Sequence, residues 1–283
     1  MNAIDKAIRY IKEPAELERT LKQGLYTADL INDSAIFTGT NTVRYFHTLF
    51  ENNDLGDFDI EQGYSRKGIV GVWKDMILTQ DKGDSLIIDR FEDEESTAQG
   101  IVTIANRYIL KVQAPALDVY RYNKIVTKPG VTVKELTLDT DNILDEVLEA
   151  FAVLKENDIN TDALLMYITP TAEKVLRRVT ANMGYFTHGT WNNEIDTEVE
   201  LFDTAKLKVV PSNRLGEGVQ FILLHKDAAP AFEKYTETEF FDRIPGFGNR
   251  RMQADIGIYH DAFVYDELVK AVYVSKVSGA VEG

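Results

Sequence analysis

The chain has 283 residues, 44% hydrophobic and 27% charged, as expected for one large globular domain or two closely associated ones. Its net charge of −15 disfavours a nucleic-acid-binding groove unless basic residues cluster locally, and the lack of cysteine excludes disulfides, cysteine-ligated zinc and thiol catalysis. The N-terminus is too polar for a secretory signal, and no apolar run approaches the roughly 20 residues of a membrane span. A soluble protein made in the cytoplasm is the default expectation.

The N-terminal residues 1–48 have a weakly helical pattern that becomes irregular. A second apolar stripe contains Leu17, Leu21 and Leu25, and a stretch rich in Ser, Thr, Gly and Asn follows at 32–41. This pattern predicts an N-terminal arm rather than the start of a compact core.

A long β-hairpin is predicted next. Apolar residues alternate from Val70 to Leu78, the segment 81–84 supplies a turn with Gly83, and the strand returns at 86–88. Ten residues per arm would extend about 30 Å. A two-stranded ribbon of that length is marginal alone in water, so we expect it to lean on a neighbour.

The hairpin carries an aromatic residue whose environment the sequence leaves open. Trp73, beside Lys74, either packs back on its own domain or lands on a partner surface. It is equally open whether the neighbour meets the face with Val72 and Met76 or the face with Trp73 and Ile77.

A long amphipathic helix follows the hairpin. Acidic residues at 89–95 and a capping box at Ser96 and Gln99 favour a helix start. Apolar residues then repeat with helical spacing up to Val112, Pro115 interrupts the pattern, and the segment 128–130 ends it.

Residues 131–240 read as an α/β unit and the tail as a β-rich segment. Helices are predicted at about 141–157 and 170–178, and strands at 163–168, 198–202, 207–210, 219–224, 235–241, 254–260, 263–265 and 272–274.

We find no convincing catalytic, cofactor or metal site. The acids at 89–95 lack the spacing of a metal-binding loop, and the segment 139–142 lacks the glycine and closing glutamate of a calcium loop. The four histidines form no ligand pair, and neither a nucleophile elbow nor a phosphate-binding glycine loop is present. Arg250 and Arg251 could touch nucleic acid, but a solvated or inter-subunit pair is favoured.

Several dispersed segments resemble the major capsid proteins of tailed bacteriophages. They cover roughly residues 60–276 and comprise LTQDKGDSLIIDRFEDEE at 78–95, VQAPALDVYRY at 112–122, KVVPS at 208–212, FILLHK at 221–226 and YHDAFV at 259–264. Ala116 stands where that family often has an acid.

The resemblance implies an α+β fold of the Hong Kong 97 capsid type. The implied parts are an N-terminal arm (1–48), the lead into the peripheral domain (49–61), an extended loop formed by the hairpin (62–91), the peripheral domain with its spine helix (92–130), an axial domain (131–240) and a return to the peripheral domain (241–283). Hairpin residues Trp73, Lys74, Met76, Asp81, Lys82 and Gly83, with Arg250 and Arg251, would contact neighbouring subunits.

The implied function is a non-enzymatic shell protein that self-assembles through pentamers and hexamers around phage double-stranded DNA. No cofactor, metal or membrane is expected. A separate scaffolding protein and a portal are the implied further partners, DNA contact would be weak and non-specific, and the virion would be assembled in the host cytoplasm. An encapsulin-like nanocompartment shell is one alternative, and an acid/base hydrolase using the 89–95 carboxylates is another.

Overall fold

The computed structural model of the chain describes residues 18–32, 36–50, 57–58, 60, 64, 69–89, 101–180, 186–188, 199–201, 205–241, 244, 246 and 251–279. The chain divides into two compact units. Residues 34–79 form one, here called the ribbon unit, and residues 1–33 with 80–283 form the other, here called the main unit. The mixture of helices and sheets confirms the predicted α+β class.

The ribbon unit is a small antiparallel sheet. Its strands are β1 (Phe37–Thr38), β2 (Thr42–Phe50) and β3 (Ile69–Ile77), in the order β1-β2-β3. The last two pair over nine residues, from Thr42 opposite Ile77 to Phe50 opposite Ile69. The strands are rich in β-branched and aromatic residues, which suit a pleated, half-exposed surface.

The main unit contains a three-stranded and a seven-stranded sheet. The first has the order β11-β12-β4 and consists of Gln80–Asp89 (β4), Ala231–Phe241 (β11) and Arg251–Ala262 (β12). The second has the order β5-β13-β10-β6-β9-β8-β7. Its strands are Thr132–Glu135 (β5), Leu164–Ile168 (β6), Phe186–His188 (β7), Val199–Leu201 (β8), Ala205–Val209 (β9), Val219–His225 (β10) and Val272–Lys276 (β13).

The predicted hairpin is wrong. β3 pairs with β2, whereas β4 pairs with β12 over ten residues, from Gln80 opposite His260 to Asp89 opposite Arg251. The expected turn at 81–84 therefore lies inside a strand. Gly83 does not form a turn but lets the backbones of β4 and β12 pack closely, because a Cβ at this position would lie 3.0 Å from the carbonyl oxygen of Ile256. The pairing of the two predicted hairpin arms and the turn between them are therefore corrected, while the extended loop at 62–91 stays a prediction from the resemblance.

The seven-stranded sheet buries apolar residues on both faces, which explains the continuous hydrophobic runs of β6 and β10. Helices Ile143–Glu156 and Pro170–Thr180 cover one face. The other face packs against the long helix through Tyr122 and Ile125. These elements agree with the helices and strands predicted for this region.

The long helix runs from Ile101 to Val126 in three parts. An α-helical part ends at Tyr108, a π-helical part spans Ile109–Gln113, and a second α-helical part begins at Ala114. In a regular helix the carbonyl of residue 111 would accept a hydrogen bond from the N–H of residue 115. Pro115 has no N–H to donate, and its ring would crowd the carbonyl of residue 111. The wider π turn accommodates this mismatch, with the N–H of Ala114 donated to the carbonyl of Ile109. The predicted capping box lies outside the described residues.

The expectation that residues 1–48 stay outside a compact core needs correction for the described residues 18–25. Residues 18–24 are helical, and Leu21 and Leu25 are buried against Ile256 and Ile258 of β12. The four-residue spacing of these leucines therefore indicates a helix face packed into a hydrophobic core. The strands within residues 37–50 belong to the sheet of the ribbon unit. No helix among the described parts of the chain is long and apolar enough to cross a membrane.

Candidate functional site: an exposed ribbon and its anchorage

The two faces of the ribbon differ in exposure. On one face Val43 lies opposite Met76, and both are buried, while Val72 further along the same face is 47% exposed. The other face carries Phe46, Trp73 and Ile77, which are 48%, 60% and 54% exposed. Large apolar side chains at this exposure are typical of surfaces that contact a partner.

Two aromatic rings on the exposed face pack against each other. Phe46 lies opposite Trp73, with ring centroids 5.1 Å apart and an edge-to-face angle of 63°. The neighbouring Gly71 leaves room for this arrangement, because a Cβ there would lie 1.7 Å from the Phe46 ring. Phe46, Gly71 and Trp73 are here called the aromatic platform. Such ring pairs contribute about 0.5–1.5 kcal/mol beyond their buried area.

An ion pair adjoins the platform on the same face. Arg44 donates from Nε to Oδ1 of Asp75 at 2.6 Å and from Nη2 to Oδ2 at 3.1 Å. These hydrogen bonds lower the pKa of Asp75 and raise that of Arg44. Because the ion pair is exposed, it contributes little to the free energy of unfolding. Its two hydrogen bonds join residues that face each other across β2 and β3, so they favour this pairing register.

The structure separates the residues that the sequence grouped as one contact surface. Trp73 is exposed on the platform face, Lys74 is half-buried on the opposite face, and Met76 offers almost no surface. Asp81, Lys82 and Gly83 lie in β4 of the main unit, opposite Tyr259, Ile258 and Gly257, and not at a ribbon tip. Arg251 begins β12 opposite Asp89, and Arg250 lies outside the described residues.

Phe46 was missed at the sequence level. The run from Thr42 to Phe50 is dense in β-branched and aromatic residues, which is a strand signal. Treating these residues as the end of an arm hid both the strand and its pairing with β3.

The chain enters and leaves the ribbon unit near one end of the β11–β12 ladder. Before it, the N–H of Asn32 donates to the carbonyl of Ala231 at 2.9 Å. After it, Gln80 pairs with His260. Ala231 itself pairs with Ala262, two residues beyond His260, so both connections are held at one end of the sheet.

A group of buried charges reinforces this end of the sheet. Asp118 accepts hydrogen bonds from the N–H and hydroxyl of Thr27, at 3.1 and 2.8 Å, and from Nη1 of Arg214 at 3.1 Å. Arg121 donates to the Thr27 hydroxyl at 3.1 Å and to Glu233 at 2.6 Å. Asp118, Arg121 and Thr27 have no exposed surface. This buried charge network joins the N-terminal segment, the long helix and β11.

His260 and Asp261 lie beside the network without forming a reactive pair. The Tyr120 hydroxyl donates to Asp261 at 2.7 Å, and the Tyr120 ring packs edge-on against His260. Burial, assisted by the positive charge of Arg121, lowers the pKa of His260 to about 4. The imidazole is therefore neutral at neutral pH. In the part of the chain that is described, no cluster of three His, Asp or Glu side chains could hold a metal ion.

Solved structures with a similar fold come from viral shells and a related particle. The chain matches a capsid chain of cyanophage P-SCSP1u with a TM-score of 0.65 and 11% identity, over 86% of this chain and 85% of that one. A chain of the bacteriophage PhiM1 mature capsid gives 0.61 and 10%, over 90% and 87%. A virus-like particle from Pyrococcus furiosus gives 0.60 and 13%, over 94% and 99%.

No protein-family model and no curated protein sequence matches this chain. At identities of 10–13% the structural likeness establishes the fold, and the fold is the Hong Kong 97-like capsid type expected from the sequence.

Proposed function

We propose that this chain is the major capsid protein of a tailed bacteriophage. Copies would assemble through pentamers and hexamers into an icosahedral shell that encloses double-stranded DNA. The observation that carries the proposal is the extent of the structural likeness, which covers at least 85% of both chains for each of the two phage capsids. The fold is thus matched as a whole and not in one common substructure.

The exposed aromatic platform supports a role in assembly. Trp73 and Phe46 are large apolar side chains at the surface, and covering them with a neighbouring subunit removes that area from water at about 25 cal/mol per Å². The proposed contact face is therefore the one with Trp73 and Ile77. Each subunit of a closed shell would make this contact with a neighbour, and the association would stabilise the folded subunit.

The proposed role is structural rather than catalytic. The strongest titratable candidates, His260 and Asp261, are buried and are engaged in packing and hydrogen bonding. The net charge of −15 suits a container whose wall must not hold packaged DNA electrostatically. A separate scaffolding protein, a portal and assembly in the host cytoplasm belong to the proposal through the capsid resemblance.

Purified protein tests the proposal directly. Sedimentation and electron microscopy should find closed shells, or free pentamers and hexamers. A strictly monomeric protein at high concentration would contradict the proposal. The double variant Phe46→Ser with Trp73→Ser should give folded subunits that do not form shells, whereas Trp73→Phe, which keeps a ring at that position, should still assemble.

A cellular nanocompartment shell is the second candidate. It is favoured by the Pyrococcus furiosus particle, whose chain is covered to 99%. The contents of particles purified from the native source separate the two functions. Double-stranded DNA supports the phage capsid, and a protein cargo without DNA supports the compartment.

A further inference from the structure

A cavity of about 300 Å³ lies within the main unit, between the long helix and strands β4 and β12. Its walls are mainly apolar, from Val112, Ala116, Leu117, Ile256 and Ile258, and the lining also includes the exposed side chains of Lys82 and Asp84. This volume is at the lower end of the range of small-molecule sites, which combine apolar walls with a few polar groups.

Two polar atoms of the lining residues are buried and have no hydrogen-bond partner among the described residues. They are Oε1 of Gln113, in the π-helical part, and Nδ1 of His260, on β12. His260 is only 2% exposed. The two tyrosine hydroxyls of the lining already have partners, since Tyr108 donates to Asp84 and Tyr120 donates to Asp261. Unsatisfied buried polar atoms are uncommon in folded proteins and mark places where a further group fits.

The chemistry of the two atoms selects a hydroxyl group. Oε1 of Gln113 requires a donor, whereas Nδ1 of a neutral histidine accepts or donates according to its tautomer. A hydroxyl both donates and accepts, so it matches the hydrogen-bonding chemistry of both atoms. A neutral ligand is favoured, because Asp84 of the lining already accepts from Tyr108 and Lys82 is exposed to solvent, so neither offers a buried partner for a charge on the ligand.

We propose that this cavity binds a small neutral phenol-type molecule, with its ring against the apolar walls and its hydroxyl on Gln113 and His260. The site goes beyond shell formation, because every lining residue belongs to the main unit of one chain. A bound molecule would bridge the π-helical part and the sheet, and would stabilise the folded subunit in proportion to its occupancy.

4-Bromophenol is a suitable probe, because its bromine can be located by anomalous scattering in a soaked crystal. Titration calorimetry of the purified full chain should give saturable binding of one molecule per subunit, with a matching rise in Tm. Bromobenzene, which lacks the hydroxyl, should bind at least about tenfold more weakly, the loss of one hydrogen-bonding group. Absence of saturable binding, or equal binding of both probes, would overturn the proposal.

Variants of two lining residues locate the site. Ala116→Phe should fill the cavity and abolish binding, while Ala116→Ser should retain it. Gln113→Leu should remove the preference for 4-bromophenol over bromobenzene without unfolding the chain. Binding that survives Ala116→Phe, or bromine density elsewhere, would place the probe outside this cavity and refute the assignment.

Discussion

The hydroxyl of Thr27 donates a 2.8 Å hydrogen bond to Asp118 and accepts a 3.1 Å hydrogen bond from Arg121. One hydroxyl oxygen thus hydrogen-bonds both the Asp118 carboxylate and the Arg121 guanidinium, which are fully buried. Asp118 and Arg121 lie three positions apart on the same helix, so this threonine ties the N-terminal segment to one helical face.

Replacing Thr27 with valine should destabilise the main unit. Valine has nearly the same shape but neither donates nor accepts, so Asp118 loses one donor and Arg121 loses one acceptor. We expect the free energy of unfolding to fall by about 1–3 kcal/mol, measured by denaturant titration of the dissociated subunit. Thr27→Ser keeps the hydroxyl and should retain most of the stability. Equal losses for both variants would show that packing, and not the hydrogen bonds, is responsible.

Gly71→Ala should disturb the aromatic platform without removing either ring. The new methyl group would overlap the Phe46 ring, which must then leave its position against Trp73. We expect shell yield, measured by sedimentation, to fall at least about tenfold while the subunit remains folded.

Gly257→Ala is the matched control for that experiment, because it also places a methyl group within a strand. Its nearest neighbour would be the Cβ of Glu237 at 3.8 Å, an ordinary contact distance. Shell yield should therefore stay near that of the unmodified chain. If Gly71→Ala assembles as well as Gly257→Ala, the platform is not the contact face.

Stability should depend on pH through His260. Its pKa is lowered to about 4 in the folded chain by burial, against an ordinary value of 6.5. Between these values the unfolded chain binds a proton that the folded chain does not, so stability falls as the pH falls from 6.5 to 4. The loss at the acid end is on the order of 3 kcal/mol for this residue alone.

Denaturant titrations of the unmodified chain and of His260→Gln, at several pH values in this window, isolate the effect. Carboxylates titrate in both proteins and cancel in the difference. The unmodified chain should lose more stability on acidification than the variant. Parallel curves would mean that the histidine is not held neutral in the folded state.

Two buried tyrosines of the seven-stranded sheet should respond differently to loss of the hydroxyl. Tyr273 donates to Glu146 at 2.8 Å, so Tyr273→Phe leaves a buried carboxylate without one donor and should cost about 1–3 kcal/mol. The hydroxyl of Tyr167 has no hydrogen-bond partner among the described residues, so Tyr167→Phe should be neutral or stabilising. Thermal unfolding of both variants checks the contrast, and similar losses would contradict it.

Sequence periodicity correctly predicted those helices and strands whose apolar pattern is visible within a short segment of the chain. The helix Ile143–Glu156 and the strand Leu164–Ile168 carry clear periodicity, and the structure places them close to their expected bounds. The dispersed capsid-like segments gave the fold class correctly.

Long-range pairing was beyond local patterns. The Asp-Lys-Gly-Asp segment at 81–84 has good turn chemistry, yet a ten-residue ladder with β12, some 170 positions away, keeps it extended. The platform was equally hidden, because it depends on the pairing of Phe46 with Trp73 across two strands joined by a long connection. The π-helical part could be inferred from Pro115 only as an irregularity, since the sequence does not say whether a helix breaks or widens there.

The anchorage of the ribbon unit has a mechanical consequence. The chain leaves the main unit beside Ala231 and re-enters it opposite His260, so tension applied to either strand of the ribbon is delivered to one end of the β11–β12 ladder. Glu233, next to that point, is held by Arg121 of the long helix at 2.6 Å. The end of the ladder that receives both connections is thus the end whose strand is also tied to the long helix by a buried ion pair.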